Sequence, residues 1–438
     1  MKRYLPFVLV VIAACSKFGE NETHVVSLPL VVDSTSQSSR FVPGEYLVFL
    51  DKKVGQPLIL SGLSFQNKYT KRQQMTQKIF HIADSLGVDM SDSLVFADID
   101  VGLAASLTIA QVGAFQQLNA VVVQNIYTRL EDPVGQRDPI QQRDPIQQTD
   151  LSEIDVVNTP GPGCLFTSCA VANAGGSRDA TGNTKRIFFL DTGIDSANIF
   201  LNIKWDQCKS YVSGERGKRD KNGHGTHVAG IASARALSIG VAPNVFTVCG
   251  GVSAGAPIVS YKVLDKFGVG KWSFLQTALN ELAIVGAPGE VVNISLGAYC
   301  RDCSTFKTAI TTAIGNLVDF NHMFVVMAAG NDAGDAINNF PGCYNHTGVF
   351  TVGSIDCTNR CAVYTNLGLA EVEWLAVGDN VFSTYPTRKN GKIRFATMSG
   401  TSMATAVVSG IIHARGGPPQ AAATQVDCEG KFYNVARR

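Results

Sequence analysis

From Ser16 to Gly163 the chain has no cysteine, so that stretch can form no disulfide within itself. Net charge is nearly absent too: 37 basic residues against 36 acidic ones leave a formal +1. That balance argues against a nucleic-acid partner, which needs a clustered basic surface. Histidine is scarce, with 7 in 438 residues. The pair in Asn222-Gly223-His224-Gly225-Thr226-His227 lacks the glutamate of an H-E-x-x-H zinc pattern, and no further ligand cluster accompanies it. Cys300-Arg301-Asp302-Cys303 has no second CxxC at zinc-ribbon spacing and no thioredoxin-like surroundings. The sequence around Ser402, Gly400-Thr401-Ser402-Met403-Ala404, is not the G-x-S-x-G elbow of ester and lipid hydrolases.

What is present begins with an export signal. Met1-Lys2-Arg3 is basic, and Tyr4 to Ala14 is an apolar run of signal-peptide length, too short to span a bilayer. Ile12-Ala13-Ala14-Cys15 resembles a bacterial lipobox, which implies cleavage before Cys15 and a lipid on that residue. In an ordinary secretory signal Cys15 would be incidental; both readings export the chain. The other ten of the 11 cysteines all lie beyond residue 160, an even set that suggests disulfides without fixing their connectivity.

Texture divides the chain after the signal at 1–15. Residues 16–41 are polar and rich in Ser and Thr, and read as a tether. Residues 42–132 read as a small α+β unit: "GEYLVFL" (44–50) alternates like a strand, and residues 70–88 are patterned as an amphipathic helix. Residues 133–160 hold the repeat Gln-Arg-Asp-Pro-Ile-Gln twice and predict an exposed, extended linker. Residues 161–438, in a chain that is 45% hydrophobic, predict an α/β domain with a mostly parallel sheet flanked by helices. Its apolar runs at 186–193, 257–265, 290–297, 323–331 and 348–356 suit strands buried on both faces.

Reactive groups in such sheets collect at the carboxyl ends of strands. Asp191 follows "IFFL" at one such end. Ser402 stands where a turn enters a helix, and a lone serine needs an adjacent base to act as a nucleophile. His224 supplies a base at the start of another helix. His227, one turn on, could share its face, so metal binding by the pair is geometrically allowed; packing under the site is the other role for His227. Asp191 could orient the His224 ring, although a single aspartate at a strand end is by itself a turn or cap residue.

The chain order Asp, His, Ser is that of subtilisin-type enzymes. "FFLDTGID", "NGHGTHVAG" and "SGTSMATA" resemble the three catalytic blocks of subtilisin-like serine proteases, and "ISLG" and "AAGND" resemble their substrate-cleft and oxyanion blocks. "KVLDKFGVGKWS" resembles the proteinase K branch. The resemblance spans about residues 185–415. It implies a serine endopeptidase with Asp191 orienting, His224 as base, Ser402 as nucleophile and Asn331 as oxyanion donor. It further implies that Ser295, Leu296, Gly297, Ala329 and Gly330 line a primary pocket for an apolar side chain. Asp356 matches a calcium position in some proteinase K relatives; read alone it is a turn aspartate, and the chemistry itself needs no cofactor. Residues 42–132 resemble an inhibitor-type propeptide, which implies a self-processed zymogen cut near 131–160. The partners so implied are protein or peptide substrates, the chain's own propeptide, and the membrane through Cys15 before processing.

Three features depart from the family's pattern, one of them Val407, where a polar histidine is usual. Ala406 stands where proline is usual, and alanine still predicts a helix. Residues 244–255 look like an insertion, for which Cys249 offers a disulfide anchor. The rival reading is a catalytically inactive surface binding protein of the same fold; retention of all three catalytic residue types argues for the enzyme.

Overall fold

Strands that are apolar on both faces need cover on both faces. In the computed structural model Trp374–Val377, Val349–Ile355, Phe324–Ala328, Val291–Ile294, Ile187–Asp191 and Pro257–Lys262 lie side by side in that order, all parallel. The short strands Asn202–Ile203 and Lys209–Ser210 complete the edge along Pro257–Lys262. The structure describes residues 41–51, 65–91, 93–97, 101–130, 147–150, 168–215, 219–241, 244–299, 304–387 and 393–438. The signal run, Cys15, the tether, Cys164, Cys300 and Cys303 lie outside them.

Strand alternation sorts the core into two layers. Ile187 and Phe189 pack with helices His224–Ser233 and Thr401–Arg415, while Phe188 and Leu190 pack with Trp272–Val285 and Ser304–Asp319. Burying each such aromatic ring stabilises the fold by about 1.5–3 kcal/mol. Ala406 is fully buried inside the helix Thr401–Arg415, which forms despite the missing proline and ends at Gly416 in the left-handed region, φ 75°.

Residues 41–130 contribute a second sheet in the order Val121–Arg129, Phe41–Phe49, Val101–Ser106, Leu94–Ala97, all antiparallel. The helix expected at 70–88 spans Phe65–Ser85. Ile79 and Ala83 from it share a core with Phe115, Val48 and Leu103. The second helix, Ile109–Gln117, starts at a reciprocal cap between Thr108 and Gln111.

This sheet does not end at its own edge. Val269–Lys271, just beyond the strand Pro257–Lys262, adds antiparallel to the far end of Val121–Arg129. Asn125 accepts the backbone N–H of Ser273 in the first turn of Trp272–Val285, satisfying one of the donors every helix start leaves open. Ion pairs Glu45–Lys271 (2.5 Å) and Arg72–Glu281 flank that cap.

The linker expectation needs one correction. Gln147–Asp150, at the end of the repeat, is not a free extended segment: it pairs antiparallel with Arg394–Thr397. Backbone groups suffice for this, and Gln147–Asp150 contains no proline to remove a donor. The insertion at 244–255 begins with the second strand of a hairpin, Asn244–Val248, paired with Leu237–Val241 ahead of it. Two disulfides, Cys169–Cys357 and Cys361–Cys428, tie the short helix Cys169–Asn173 and a C-terminal hairpin to one segment, 357–361.

Candidate active site

The site assembles at the carboxyl edge of the parallel sheet. Asp191 is the last residue of its strand, and His224 is the first residue of the helix that follows. His224 Nδ1 lies 2.9 Å from both carboxylate oxygens of Asp191, and the two side chains are almost wholly buried. A carboxylate on Nδ1 fixes the proton there and leaves Nε2 as the basic nitrogen. Gly225 makes the approach possible: a Cβ at that position would lie 2.1 Å from the Gly193 carbonyl oxygen and 3.1 Å from Asp191 Oδ1.

Asp220 was not legible as part of this arrangement. Its buried carboxylate accepts hydrogen bonds from Thr192 Oγ1 (3.0 Å), Asn222 N (3.0 Å), Gly223 N (2.8 Å), Thr226 N (2.9 Å) and Thr226 Oγ1 (2.6 Å). Thr192 Oγ1 in turn accepts the N–H of Gly225 at 3.0 Å. One carboxylate therefore pins the turn before His224 to the residue after Asp191. Burial pushes the Asp220 carboxyl above its ordinary range, and the bonds from Thr226 and Gly223 pull it back. The signal available was an acidic residue four positions before the histidine.

His227 lies one turn inside the helix, fully buried, with Nε2 3.0 Å from the Ala396 carbonyl oxygen. Burial lowers its pKa from 6.5 to about 3, so the ring is neutral at ordinary pH. The unfolded chain then binds the extra proton between those values. The resulting stability is complete above pH 6.5 and is lost as pH falls toward 3, by up to about 1.4 kcal/mol per pH unit. His227→Asn is expected to flatten the slope of unfolding free energy between pH 6 and about 4, measured by denaturant titration. An unchanged slope would show that His227 is not the group responsible.

Ser402 is the second residue of the helix Thr401–Arg415, which packs beside the histidine helix. Its Oγ lies 3.4 Å from the Ser295 carbonyl oxygen, and Ser295 Oγ donates to the Ser402 carbonyl at 3.2 Å. Asn293 Nδ2 donates to Ser295 Oγ (2.9 Å), and Ser409 Oγ donates to Asn293 Oδ1 (2.9 Å), locking this corner to the serine helix. Asn331 follows the strand Phe324–Ala328 and accepts the Thr401 N–H through Oδ1 at 2.9 Å. That bond orients the amide, turning Nδ2 the other way. A Cβ on Gly400 would lie 3.3 Å from Asn331 Nδ2 and 3.7 Å from Ser402 N, so both nitrogens border one small space that glycine leaves open.

Ser295, Leu296 and Ala329 are buried, and Gly330 N donates to Thr401 Oγ1 at 3.2 Å. Gly297 faces the N-terminal unit. Arg129 N and Gly297 O, and Gly297 N and Arg129 O, pair at 3.3 Å each, while Leu130 N donates to Gly268 O at 2.8 Å. The segment Tyr127–Leu130 thus runs as a strand between two walls, Gly268–Lys271 and Gly297. The first wall lies within "KVLDKFGVGKWS", a block matched by resemblance but not read as a wall for a paired strand.

Asp356 lies apart, at the end of Val349–Ile355. Its carboxylate accepts Thr358 N (2.8 Å), Thr358 Oγ1 (2.8 Å), Arg360 N (2.9 Å) and Arg360 Nε (2.9 Å). These donors hold its pKa at about 2 against the opposing effect of burial. Donors of this kind suit a turn carboxylate and compete with a cation, so the calcium expectation gains nothing from them. Among the described residues no group of three or more His, Cys, Asp or Glu side chains is placed to hold a metal.

Comparison with known proteins gives a consistent picture. A family profile described as "Peptidase_S8: Subtilase family" matches residues 183–414. Thermitase of Thermoactinomyces vulgaris is 32% identical over 236 residues, covering 53% of this chain and 75% of thermitase. Subtilisin Savinase of Lederbergia lenta is 36% identical over 239 residues, covering 55% of this chain and 78% of that protein. M-protease of Shouchella clausii is 35% identical over 240 residues, covering 55% of this chain and 56% of its own length. A solved structure of a cold adapted subtilisin-like serine proteinase matches at 23% identity with a TM-score of 0.46, covering 59% of this chain and 89% of that one.

Proposed function

The chain belongs to the subtilase family and is a serine endopeptidase acting through an acyl-enzyme, and on that premise we propose that Asp191, His224 and Ser402 divide the reaction among them. Ser402 Oγ attacks the peptide carbonyl while His224 takes its proton. Asp191 keeps the ring oriented and stabilises the imidazolium that forms. Asn331 Nδ2 and the Ser402 N–H hold the oxyanion. His224 then protonates the leaving amine, and water repeats the sequence on the acyl-enzyme. The buried Asp191–His224 pair at the sheet's carboxyl edge, beside the helix whose second residue is Ser402, is the observation that carries this reading.

Substrates bind as an added strand between Gly268–Lys271 and Gly297, where backbone groups serve any sequence. Ser295, Leu296, Gly297, Ala329 and Gly330 wall a primary pocket whose small residues favour an apolar side chain before the cut. Residues 42–132 act as a propeptide: Tyr127–Leu130 already occupies the substrate strand, which supports inhibition until the chain is cut. The apolar run Tyr4–Ala14 and Cys15 support export as a lipoprotein, with release of the catalytic part on processing. "KVLDKFGVGKWS" supports placement in the proteinase K branch.

The test is casein turnover by the purified full-length chain after incubation. The reading requires hydrolysis once the N-terminal unit separates; an inert catalytic part, freed of that unit by deliberate nicking of the linker, would overturn it.

A further inference from the structure

A lysine shut off from water stands beside the catalytic aspartate. Lys262 ends the strand Pro257–Lys262 and is 0% exposed. It is in register with Asp191 on the adjacent parallel strand. Residues in register share a face of the sheet. Both side chains therefore lie on the face of Ile187 and Ile258, which the histidine helix covers. The reaction steps use no ammonium, so this one needs another explanation.

Its three contacts reach three parts of the site. Nζ donates to the Thr192 carbonyl (2.5 Å), one residue past Asp191. It also donates to the Leu264 carbonyl (2.7 Å), just ahead of the wall Gly268–Lys271. Glu215 Oε2 lies 3.1 Å away as an ion pair, in the segment that precedes Asp220 and His224. A fully buried charge persists only with partners. Lys262 takes its partners from the aspartate strand, the approach to the substrate wall and the histidine segment at once. We infer that Lys262 is a positioning residue for the Asp191–His224 pair. Its hydrogen bonds fix the strand end that carries Asp191, and its charge offsets the carboxylates behind the histidine ring. This rests on the reading of Asp191, His224 and Ser402 as the working triad.

The charges around His224 set the sign of the effect. Asp191 lies on Nδ1, and Asp220 is close enough for the two carboxylates to repel. His227, one turn along, is neutral at ordinary pH. The Tyr385 ring packs against Gly223, and its hydroxyl donates to the Asn222 carbonyl. Lys221 faces Glu215 at 3.8 Å. On the serine helix His413 and Arg415 lie about three turns beyond Ser402. The carboxylates favour a proton on His224, and Lys262 opposes it. A base must be unprotonated to take the serine proton. Lys262 therefore keeps His224 working at a lower pH than the carboxylates alone would allow.

The test is the pH dependence of kcat/KM for an uncharged peptide p-nitroanilide, measured on enzyme prepared from the full-length chain. Lys262→Met keeps an unbranched side chain and removes its charge and donors. Its acidic limb is expected to move up by on the order of one pH unit, the effect of one nearby charge at an effective dielectric of about 20. Glu215→Gln removes the opposite charge and should move the limb down, with the double variant between the two. A residue that only holds the fold would lower the melting temperature and leave the limb in place. A limb unmoved in Lys262→Met would therefore overturn the inference while leaving the triad intact. If Lys262→Met yields no folded enzyme, Glu215→Gln decides alone, and a limb that stays or rises overturns the inference. Wild-type enzyme that leaves both the peptide and casein untouched would instead remove the proposed function beneath it.

Discussion

Ser402→Ala is expected to lower casein turnover by about 10⁶-fold, the size of the corresponding loss in subtilisin, and to leave the full-length chain uncut. The reason is local. Ser402 is the hydroxyl that the helix start at Thr401–Arg415 sets against the Ser295 carbonyl, two residues before the Gly297 that pairs with Arg129. The next hydroxyl along the helix, Thr405, is buried and donates back to the Thr401 carbonyl at 2.8 Å, so it does not take the place of Ser402. Alanine is a good helix former and fits the same volume, so the variant should fold. A gel time course beside the wild type checks the result. Processing of the variant at the wild-type rate, with the wild-type chain pure of other proteases, would remove Ser402 from the mechanism.

Asn331→Ala should reduce kcat by about 10²–10³-fold with little change in KM, the loss known for one oxyanion donor in subtilisin. An interaction made only in the transition state lowers kcat and kcat/KM together. The geometry supports that class of effect. Asn331 Oδ1 is engaged by the Thr401 N–H at 2.9 Å, so the amide is held before any substrate arrives, and Nδ2 borders the space beside Gly400 and Ser402 N. Held donors need no reorganisation as charge develops. Steady-state kinetics on a peptide substrate separate the outcomes: a rise in KM at constant kcat would make Asn331 a ground-state binding residue instead.

Much of this was legible because the physics was local. Phe188 and Phe189 are both apolar, and a strand with two apolar faces must sit inside a covered sheet, which is where Ile187–Asp191 lies. Asp191, His224 and Ser402 each stand at the junction of an apolar run and a small-residue turn, and together they carry a chain order that any one alone lacks. His227 was readable as a packing residue because no acidic partner accompanied it, and its ring is buried against the Ala396 carbonyl.

What escaped the sequence depends on partners far along the chain. Asp220 looks like an ordinary turn aspartate; only the fold brings Thr192, Gly223 and Thr226 onto one carboxylate. The wall Val269–Lys271 is three residues long and carries no hydrophobic pattern, because its role is backbone pairing with Tyr127–Arg129. Gln147–Asp150 has no apolar alternation either, and polar repeats around it pointed to a free linker. The disulfides Cys169–Cys357 and Cys361–Cys428 join residues 188 and 67 positions apart, a matter of topology rather than spacing.

The central claim is that His224 and Asp191 make Ser402 nucleophilic. Its most direct measurement is the intact mass of the self-cleaved enzyme after exposure to phenylmethylsulfonyl fluoride, followed by peptide mapping. The account predicts one sulfonyl adduct per chain, on Ser402, with parallel loss of casein turnover. An active enzyme that takes up no adduct at Ser402, or carries it on a different serine, would contradict it.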